Sequence, residues 1–346
     1  MTPRPPKPPK LPARAGLHPV RLGRRVNVKE ARQLTGTLGE WILKNIPAIN
    51  HAQLTAFFES AAIVDAWGNP LQWETPANAL ENPIYLYRPG ADETATPITL
   101  EKIYQGDGWL VIYKPKGLAT MPRGSYVVRS ATIALRRQEN NADLTPAHRL
   151  DRATSGLLLF TEKPQLRRLY QEMFQNRQVE KTYLATAPAI DFSTLEPEAL
   201  AATQLIKVTK EPPEKPGWVK VESRIEKVEG VMSAQHVAGT PNAVTYLRPS
   251  AMRQVAGEEF CDYEVQPQTG KTHQIRLHFA ALGIPLVGDP LYGGFNAARY
   301  GKDQVPQGNS PLHLEAVGLQ FHDPQTGELV KIDLRVSKNE RENHDD

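Results

Sequence analysis

An aspartate between two arginines is the strongest chemical signal in this sequence. Asp151 lies between Arg149 and Arg152 in the run His-Arg-Leu-Asp-Arg-Ala-Thr-Ser-Gly, residues 148–156. Nearby positive charge favours the ionised form of a carboxyl group. An ionised and positioned carboxylate acts as a nucleophile or as a base. Because the same pattern also fits a salt-bridged turn, this run alone leaves a structural and a catalytic interpretation open.

A second segment combines a glycine turn with the start of a predicted helix. Residues 269–278 read Thr-Gly-Lys-Thr-His-Gln-Ile-Arg-Leu-His, and residues 288–293 read Gly-Asp-Pro-Leu-Tyr-Gly. We expect Thr272 to cap the helix and Gly283 to end it. Because the helix dipole disfavours a cation in the first turns, we expect a buried carboxylate to hold Arg276.

Two more pairs of residues are candidates for a site. His273 and Gln274 either contact a ligand or take part in capping and core hydrogen bonds. Alternation along the strand predicted for residues 179–187 places Lys181 and Tyr183 on one face. Tyr183 can stack on a flat ligand and present its hydroxyl, although a core aromatic is the more ordinary interpretation.

Composition limits the classes of protein to which the chain can belong. Its 346 residues predict roughly two domains. With 41 Lys and Arg against 38 Asp and Glu, the net charge of +3 excludes a histone-like polycation and a strongly acidic disordered chain. The single cysteine, Cys261, forms no internal disulfide and builds no thiolate metal site. Since no apolar leader or membrane span is apparent, we expect a cytoplasmic location.

The chain divides into four expected regions. Residues 1–30 are a basic, proline-rich arm that we expect to be disordered, and that either contacts phosphates or only aids solubility. Residues 31–92 are a small α/β module, residues 98–336 are the larger domain, and residues 337–346 are a polar tail.

Capping and alternation predict the elements of both folded regions. Thr37 with Glu40, and Asn50 with Gln53, have the spacing of capping boxes that open two helices. In the larger domain, strands and helices interleave without a strict βαβ rhythm, which predicts an α+β fold. A helix after Pro164 should have one apolar face, formed by Leu166, Leu169, Tyr170, Met173 and Phe174.

Taken in order, these motifs resemble the RluA-type pseudouridine synthases. The set comprises Lys-Pro-Lys-Gly at 114–117, the Asp151 run, Lys-Thr-Tyr-Leu-Ala at 181–185, the two segments around Arg276 and the weaker Leu-His at 312–313. The resemblance covers about residues 98–335. It implies an α+β catalytic domain in which helices flank a long, mixed, mostly antiparallel sheet crossed by an RNA cleft. It also implies isomerisation of uridine to pseudouridine in structured rRNA or tRNA, without metal or cofactor. We further expect a monomer that does not contact membranes.

The resemblance also implies roles for individual residues. Asp151 matches the family's nucleophilic aspartate, and Tyr183 matches the tyrosine that packs on the target base. Arg276 matches the basic residue that pairs with the aspartate, and Arg149 matches the arginine that helps to displace the base. Attack at ribose C1′, attack at C6 of the base and stabilisation of oxocarbenium charge all stay open for the carboxylate. The other residues expected to bind substrate are His148, Arg152, Thr154, Lys114, Lys271, His273 and Gln274.

Three features depart from the family pattern. Lys271 stands where relatives usually have arginine, which keeps the charge but loses the bidentate fork. Residues 31–92 faintly resemble an S4-like RNA-binding module, but Arg88 is the only basic residue between positions 45 and 99. We therefore do not expect this module to bind RNA. Residues 205–262 form a longer insertion than expected and are candidates for setting substrate choice.

Two alternatives remain beside the RNA isomerase. The first is a catalytically silent RNA-binding or ribosome-assembly protein on the same fold, which would have no need of the intact catalytic set. The second is a metal-dependent hydrolase that uses His148, His273 and His278. The five-residue step from His273 to His278 does not place both on one helix face, and no carboxylate lies at ligand spacing.

Overall fold

The computed structural model describes residues 8–14, 16–23, 26–87, 98–122, 129–192, 204–227, 233–255, 258–293 and 311–336. Chain contacts separate two units, Met1–Thr99 with Met121–Asp143, and Leu100–Thr120 with Leu144–Asp346. Residues 121–143 therefore group with the first unit, although they fall within the range 98–336 expected for the larger domain. The expected polar tail, residues 337–346, lies outside the described residues. Within the described ranges, no helix has both the length and the apolar content needed to cross a membrane.

In its described residues, the first unit combines four α-helices with a three-stranded sheet. The helices are α1 (Val28–Ala31), α2 (Leu38–Asn45), α3 (His51–Glu59) and α4 (Ala131–Gln138), and the sheet has the order β1 (Val20–Arg21), β3 (Tyr85–Leu86), β2 (Ile63–Val64). Both predicted capping boxes are confirmed, because Thr37 and Asn50 each exchange hydrogen bonds with the residue three positions further on.

Part of the arm that we expected to be disordered, residues 1–30, is folded. Leu11 and Leu22 are buried in the core of the first unit, and β1 pairs with β3. The Arg14 guanidinium lies 3.9 Å from the centroid of the Tyr87 ring. The expectation of disorder is therefore wrong for the described part of the arm. Its few apolar side chains find partners in the folded module, and their burial offsets the entropy cost of ordering the arm.

The second unit is built on a 12-stranded mixed sheet in the order β11-β10-β12-β13-β8-β14-β7-β5-β4, to which β9, β15 and β6 are added beside β10, β14 and β7. Its elements are β4 (Lys102–Gln105), β5 (Trp109–Lys114), β6 (Thr145–Pro146), β7 (Ser155–Thr161), α5 (Arg167–Gln175), β8 (Glu180–Pro188), β9 (Ile206–Lys210), β10 (Val219–Lys227), β11 (Ala234–Val237), β12 (Ala243–Val255), β13 (Glu258–Pro267), α6 (Gln274–Ala281), β14 (Leu314–His322) and β15 (Leu329–Asp333). Among these described strands, β7 and β14 pair in parallel and all other pairs are antiparallel. The predicted α+β fold with a long, mostly antiparallel sheet is confirmed.

Among the described residues, two α-helices pack against this sheet. Helix α5 buries Tyr170 and Met173 as predicted, but Leu169 is 38% exposed, so the buried face is narrower than the periodicity suggested. Every residue of α6 is buried, and its Ile275 and Phe279 join the core that lies against β8 and β13. The side chains in the first turn of α6 are therefore held in place by the surrounding core.

The glycine that ends the Asp151 run lies where β7 and β14 approach each other most closely. Gly156 has φ 114°, and an added Cβ would lie 2.2 Å from the carbonyl oxygen of Ala316 on β14. The parallel pairing just after the Asp151 loop therefore depends on a residue without a side chain.

We expect Gly156→Ala to lower the free energy of unfolding by about 2–4 kcal/mol, because the methyl group meets backbone atoms and the positive φ becomes strained. Urea denaturation measures this loss. Gly327→Ala is a matched control, since Gly327 has φ 80° with no atom within 4 Å of its added Cβ. Equal losses of unfolding free energy in the two variants would show that contact with β14 does not contribute to the effect of Gly156→Ala.

Candidate active site

The predicted motifs meet in a cavity of about 530 Å³ within the second unit. This volume is ordinary for a small-molecule or cofactor site. Nine of the eleven predicted site residues line it: His148, Arg149, Asp151, Thr154, Tyr183, Lys271, His273, Gln274 and Arg276. The two predicted residues that do not line it, although both are described, are Lys114 and Arg152.

Hydrogen bonds to the backbone hold the loop that carries Asp151. The Thr120 hydroxyl donates to the Leu150 carbonyl at 2.8 Å and accepts from the Leu150 N–H at 3.1 Å. The Gly117 N–H donates to the Arg152 carbonyl at 2.8 Å. Sequence reasoning missed Thr120, whose only signal is its position just after the Lys-Pro-Lys-Gly turn.

Lys114 is fully buried beneath this loop. Its Nζ donates to the carbonyls of Pro115, Leu118 and Arg152 at 3.0, 2.8 and 3.5 Å. Burial lowers the pKa of Lys114 to about 8, and the charge of Asp151 opposes that shift. An ammonium surrounded by carbonyls at this depth is not placed to contact an RNA phosphate. The geometry favours a positioning role for Lys114 over the predicted substrate contact.

Strand β8 presents Lys181 and Tyr183 to the cavity on one face, as alternation predicted. Burial raises the pKa of the Tyr183 hydroxyl, and the charge of Asp151 raises it further. Tyr183 therefore stays protonated at neutral pH. The Lys181 ammonium donates to the Thr269 carbonyl at 3.3 Å, which connects β8 to the glycine turn before α6.

Arg276 is buried, and its partner is Asp289. Nε donates to Oδ2 of Asp289 at 2.8 Å and Nη2 donates to Oδ1 at 2.6 Å. The expected buried carboxylate is confirmed as Asp289, which accepts from Nε and Nη2 of the guanidinium. The expected pairing of Arg276 with Asp151 stays a prediction, and the charge of Asp151 does act on Arg276. Burial lowers the pKa of Arg276, while the hydrogen bonds and charge of Asp289, followed by the charge of Asp151, raise it overall.

The N-cap of α6 is His273, not the predicted Thr272, and no side chain forms a cap hydrogen bond there. His273 Nε2 lies 3.8 Å from Asp151 Oδ2. Its Nδ1 lies 2.8 Å from the Tyr292 hydroxyl. Burial lowers the pKa of His273, and the charge of Asp151 opposes this shift. The imidazole at neutral pH is therefore uncharged.

Gln274 is 4% exposed, and its side-chain amide forms four hydrogen bonds to protein groups. Its Oε1 accepts from the Thr269 hydroxyl at 2.7 Å and the Lys271 N–H at 3.1 Å. Its Nε2 donates to the Val244 carbonyl and the Thr245 hydroxyl, both at 2.9 Å. These four bonds support the core hydrogen-bonding interpretation of Gln274.

Two other histidines are in the neutral form, with His278 fully buried and His148 partly buried. His148 Nε2 accepts from the Leu159 N–H at 3.2 Å, and its ring stacks on Phe174 at 4.2 Å. The two ring nitrogens of His278 contact hydroxyl groups at 2.9 and 2.8 Å. Burial lowers the pKa of each ring to about 3. Among the described residues, no group of three or more histidine, cysteine, aspartate or glutamate side chains is placed to hold a metal ion.

These two histidines predict acid-sensitive stability. Because their folded pKa values lie below the ordinary 6.5, the unfolded chain binds protons first as the pH falls. The two histidines contribute fully to the free energy of unfolding above pH 6.5, and this contribution is lost progressively as the pH falls below 6.5. We expect the free energy of unfolding to fall by up to about 1.4 kcal/mol per pH unit for each histidine between about pH 6 and pH 4.

Urea denaturation across this pH range measures the slope. His148→Gln, which removes one titrating ring and keeps an acceptor for Leu159, should make the slope shallower than in the wild type. His322→Gln, at an exposed position on β14, should leave it unchanged. An unaltered slope in His148→Gln would contradict the assignment of that histidine.

The charge of the cavity suits a polyanion. In the part of the chain that the structure describes, Asp151 is the one carboxylate that lines the cavity, whereas the cationic side chains there are Arg149, Arg177, Lys181, Lys271 and Arg276. Lysine and arginine that neutralise phosphates supply most of the affinity for nucleic acid. Sequence reasoning missed Arg177, which has a left-handed φ of 60° just after α5.

Comparisons with known proteins agree with this geometry. A family model described as RNA pseudouridylate synthase matches residues 108–281, about half of the chain. The tRNA pseudouridine synthase C of Vibrio cholerae is 30% identical over 243 residues, which cover 67% of this chain and 89% of that protein. Pseudouridylate synthase RPUSD2 of Mus musculus is 28% identical over 232 residues, which cover 67% of this chain and 36% of that protein.

Among solved structures, human RNA pseudouridylate synthase domain containing 1 has 21% sequence identity and a TM-score of 0.49, covering 71% of this chain and 85% of that chain. The chain thus spans little more than a third of the mouse relative and most of the bacterial one. The matched region contains the Asp151 run, β8 and α6. The chain therefore belongs to the RNA pseudouridylate synthase family, in agreement with the RluA-type motifs of its sequence.

Proposed function

We propose that this chain isomerises uridine to pseudouridine in structured RNA, with Asp151 as the reacting carboxylate. One observation carries the proposal. Among the described residues that line this cation-rich cavity, Asp151 is the single carboxylate, and Tyr183 lies in the same cavity. A catalytically silent RNA-binding protein on this fold would not need Asp151 and Tyr183 together in such a cavity.

The reaction breaks the bond between ribose C1′ and N1 of uracil, turns the base and joins C5 to C1′. N1 gains a proton and C5 loses one, so the product is an isomer of the substrate. The Asp151 carboxylate either bonds to C1′ or C6, or stabilises positive charge on the ribose. The Tyr183 ring supplies a flat surface that retains the uracil while it turns.

The target base must leave its stack before it enters the cavity, which costs a few kcal/mol. Arg149 is exposed and lines the cavity, so it is placed to fill the vacated space. Lys271 is also exposed there and can contact the phosphates beside the target uridine. Bases in hairpin loops are the expected targets, because unpaired bases cost less to extrude.

Transfer RNA is the first substrate to test, because the Vibrio cholerae relative is named for tRNA. Ribosomal RNA is the second. Modification of either RNA, a cytoplasmic location and a monomeric state stay predictions for this chain.

The test is tritium release from RNA labelled at uridine C5, since formation of the C–C bond expels that hydrogen. The full chain is incubated with labelled tRNA and with labelled rRNA, each with and without a chelator. We expect one of the two RNAs to release tritium at a rate that the chelator does not change. Digestion of that RNA should yield a matching amount of pseudouridine. Failure of both RNAs to release tritium, with RNA binding intact, would support the silent RNA-binding protein instead.

A further inference from the structure

His273 adopts a costly backbone conformation that helix capping does not explain. Its φ and ψ are 55° and 22°, in the left-handed region, and its side chain makes no cap hydrogen bond. A residue other than glycine persists there only where its surroundings fix it, and such residues cluster at functional sites. The side chain instead lies between Asp151 and Tyr292.

The hydrogen bonds of Tyr292 bear on which nitrogen of His273 carries the proton. The Ala234 N–H donates to the Tyr292 oxygen at 3.0 Å, and the Ala234 carbonyl lies 3.1 Å from the same hydroxyl. When the hydroxyl donates its single proton to that carbonyl, it accepts from His273 Nδ1 at 2.8 Å. In this tautomer Nδ1 is the protonated nitrogen, and the lone pair of Nε2 faces Asp151.

Charges of both signs act on His273. The carboxylates of Asp151 and Asp289 raise its pKa, and the guanidiniums of Arg276 and Arg149 lower it. Burial is the largest influence, and it favours the uncharged ring. In the tautomer protonated at Nδ1, Nε2 and the Asp151 carboxylate are two hydrogen-bond acceptors that lie 3.8 Å apart.

We propose that His273 Nε2 accepts a hydrogen bond from the 2′-hydroxyl of the target ribose and so selects a ribonucleotide over a deoxyribonucleotide. This inference rests on the proposed function, which brings the target nucleotide to Asp151. C1′ and C6 are both bonded to N1, so attack at either atom brings the ribose beside the carboxylate. The 2′-hydroxyl lies on the carbon next to C1′, and it is the group by which a protein distinguishes RNA from DNA.

The spacing of the two acceptors fits this arrangement. One ribose can present C1′ to Asp151 and its 2′-hydroxyl to an acceptor 3.8 Å away. Because the 2′-hydroxyl donates its hydrogen bond to the imidazole, it does not bond to the Asp151 carboxylate. That carboxylate stays free to react.

The test compares two competitors in the tritium-release assay. Each is a short synthetic hairpin that carries, at the modified position, either uridine or 2′-fluorouridine, which keeps the size of the substituent but cannot donate. Apparent inhibition constants come from initial rates. For the wild type we expect the fluoro competitor to bind about tenfold more weakly, as is usual for one lost hydrogen bond.

His273→Asn should remove this discrimination, because asparagine tolerates the left-handed backbone but is too short to reach the ribose. Tyr292→Phe should reduce it by less, since the ring is then free to carry its proton on Nε2. The exposed His322→Gln should discriminate like the wild type. Tyr292→Phe alone still tests the proposal if His273→Asn does not fold, as judged by circular dichroism.

Tenfold discrimination that persists in His273→Asn and Tyr292→Phe would overturn the proposal, as would equal binding of both competitors by the wild type. If the wild type releases tritium normally but both variants discriminate between the competitors as it does, only this inference fails and the proposed function stands. Absence of release from every RNA with the wild type would overturn the proposed function, and this inference with it.

Discussion

Asp151→Asn is expected to abolish pseudouridine formation while the protein still binds its RNA. Asparagine keeps the size of the side chain but cannot bond to C1′ or C6, nor stabilise positive charge on the ribose. We expect the single-turnover rate of tritium release to fall by about 10³-fold or more, as when other enzymes lose a nucleophile. RNA affinity should be unchanged or slightly higher, because one negative charge leaves a site for a polyanion.

The matched control for Asp151→Asn is Asp107→Asn, which removes the same charge from an exposed carboxylate. The Asp107 side chain is 83% exposed and pairs with Lys163 at the surface. The Asp107→Asn variant should release tritium at the wild-type rate. A rate for Asp151→Asn within tenfold of the wild type would show that this carboxylate is not the reacting group.

The second large effect is expected from Asp289, through stability. The Asp289 and Arg276 side chains are 0% and 3% exposed and bond through two hydrogen bonds. Asp289→Asn leaves a buried guanidinium without a counter-charge and turns an amide donor towards it. We expect the free energy of unfolding to fall by about 3–5 kcal/mol, the usual result of breaking a buried pair. Thermal and urea denaturation both measure this loss.

Asp333→Asn is the matched control, since it breaks an aspartate–arginine pair of similar geometry at the surface. Asp333 and Arg335 are 30% and 43% exposed, and exposed pairs contribute only about 0–1 kcal/mol. Similar losses in the two variants would show that burial of the Arg276 pair has little effect. Because Asp289 also accepts from the N–H groups of Leu291 and Tyr292, we expect Asp289→Asn to lower activity as well.

Local features of this protein could be predicted from the sequence because they join residues a few positions apart. The capping boxes at Thr37 and Asn50 depend on a three-residue spacing, which helix geometry determines. The shared face of Lys181 and Tyr183 follows from the two-residue repeat of a strand.

Other contacts were decided only by the tertiary structure. Thr272 had the residue type of a helix cap, but the N-cap is His273, in a left-handed conformation and without a side-chain cap hydrogen bond. The dipole argument predicted a buried carboxylate for Arg276 without identifying Asp289. The folded part of the arm likewise depends on a core to which distant residues contribute.

The sequence by itself determined the family, the α+β class and the identity of Asp151 as the candidate carboxylate, because ordered motifs encode these properties directly. Only the tertiary structure decided that Asp289 holds Arg276, that Lys114 lies beneath the loop and that His273 faces Asp151. Those relations join segments that are distant in the chain. They exist only once the sheet brings β5, β7, β8 and α6 together, so no local spacing or propensity encodes them.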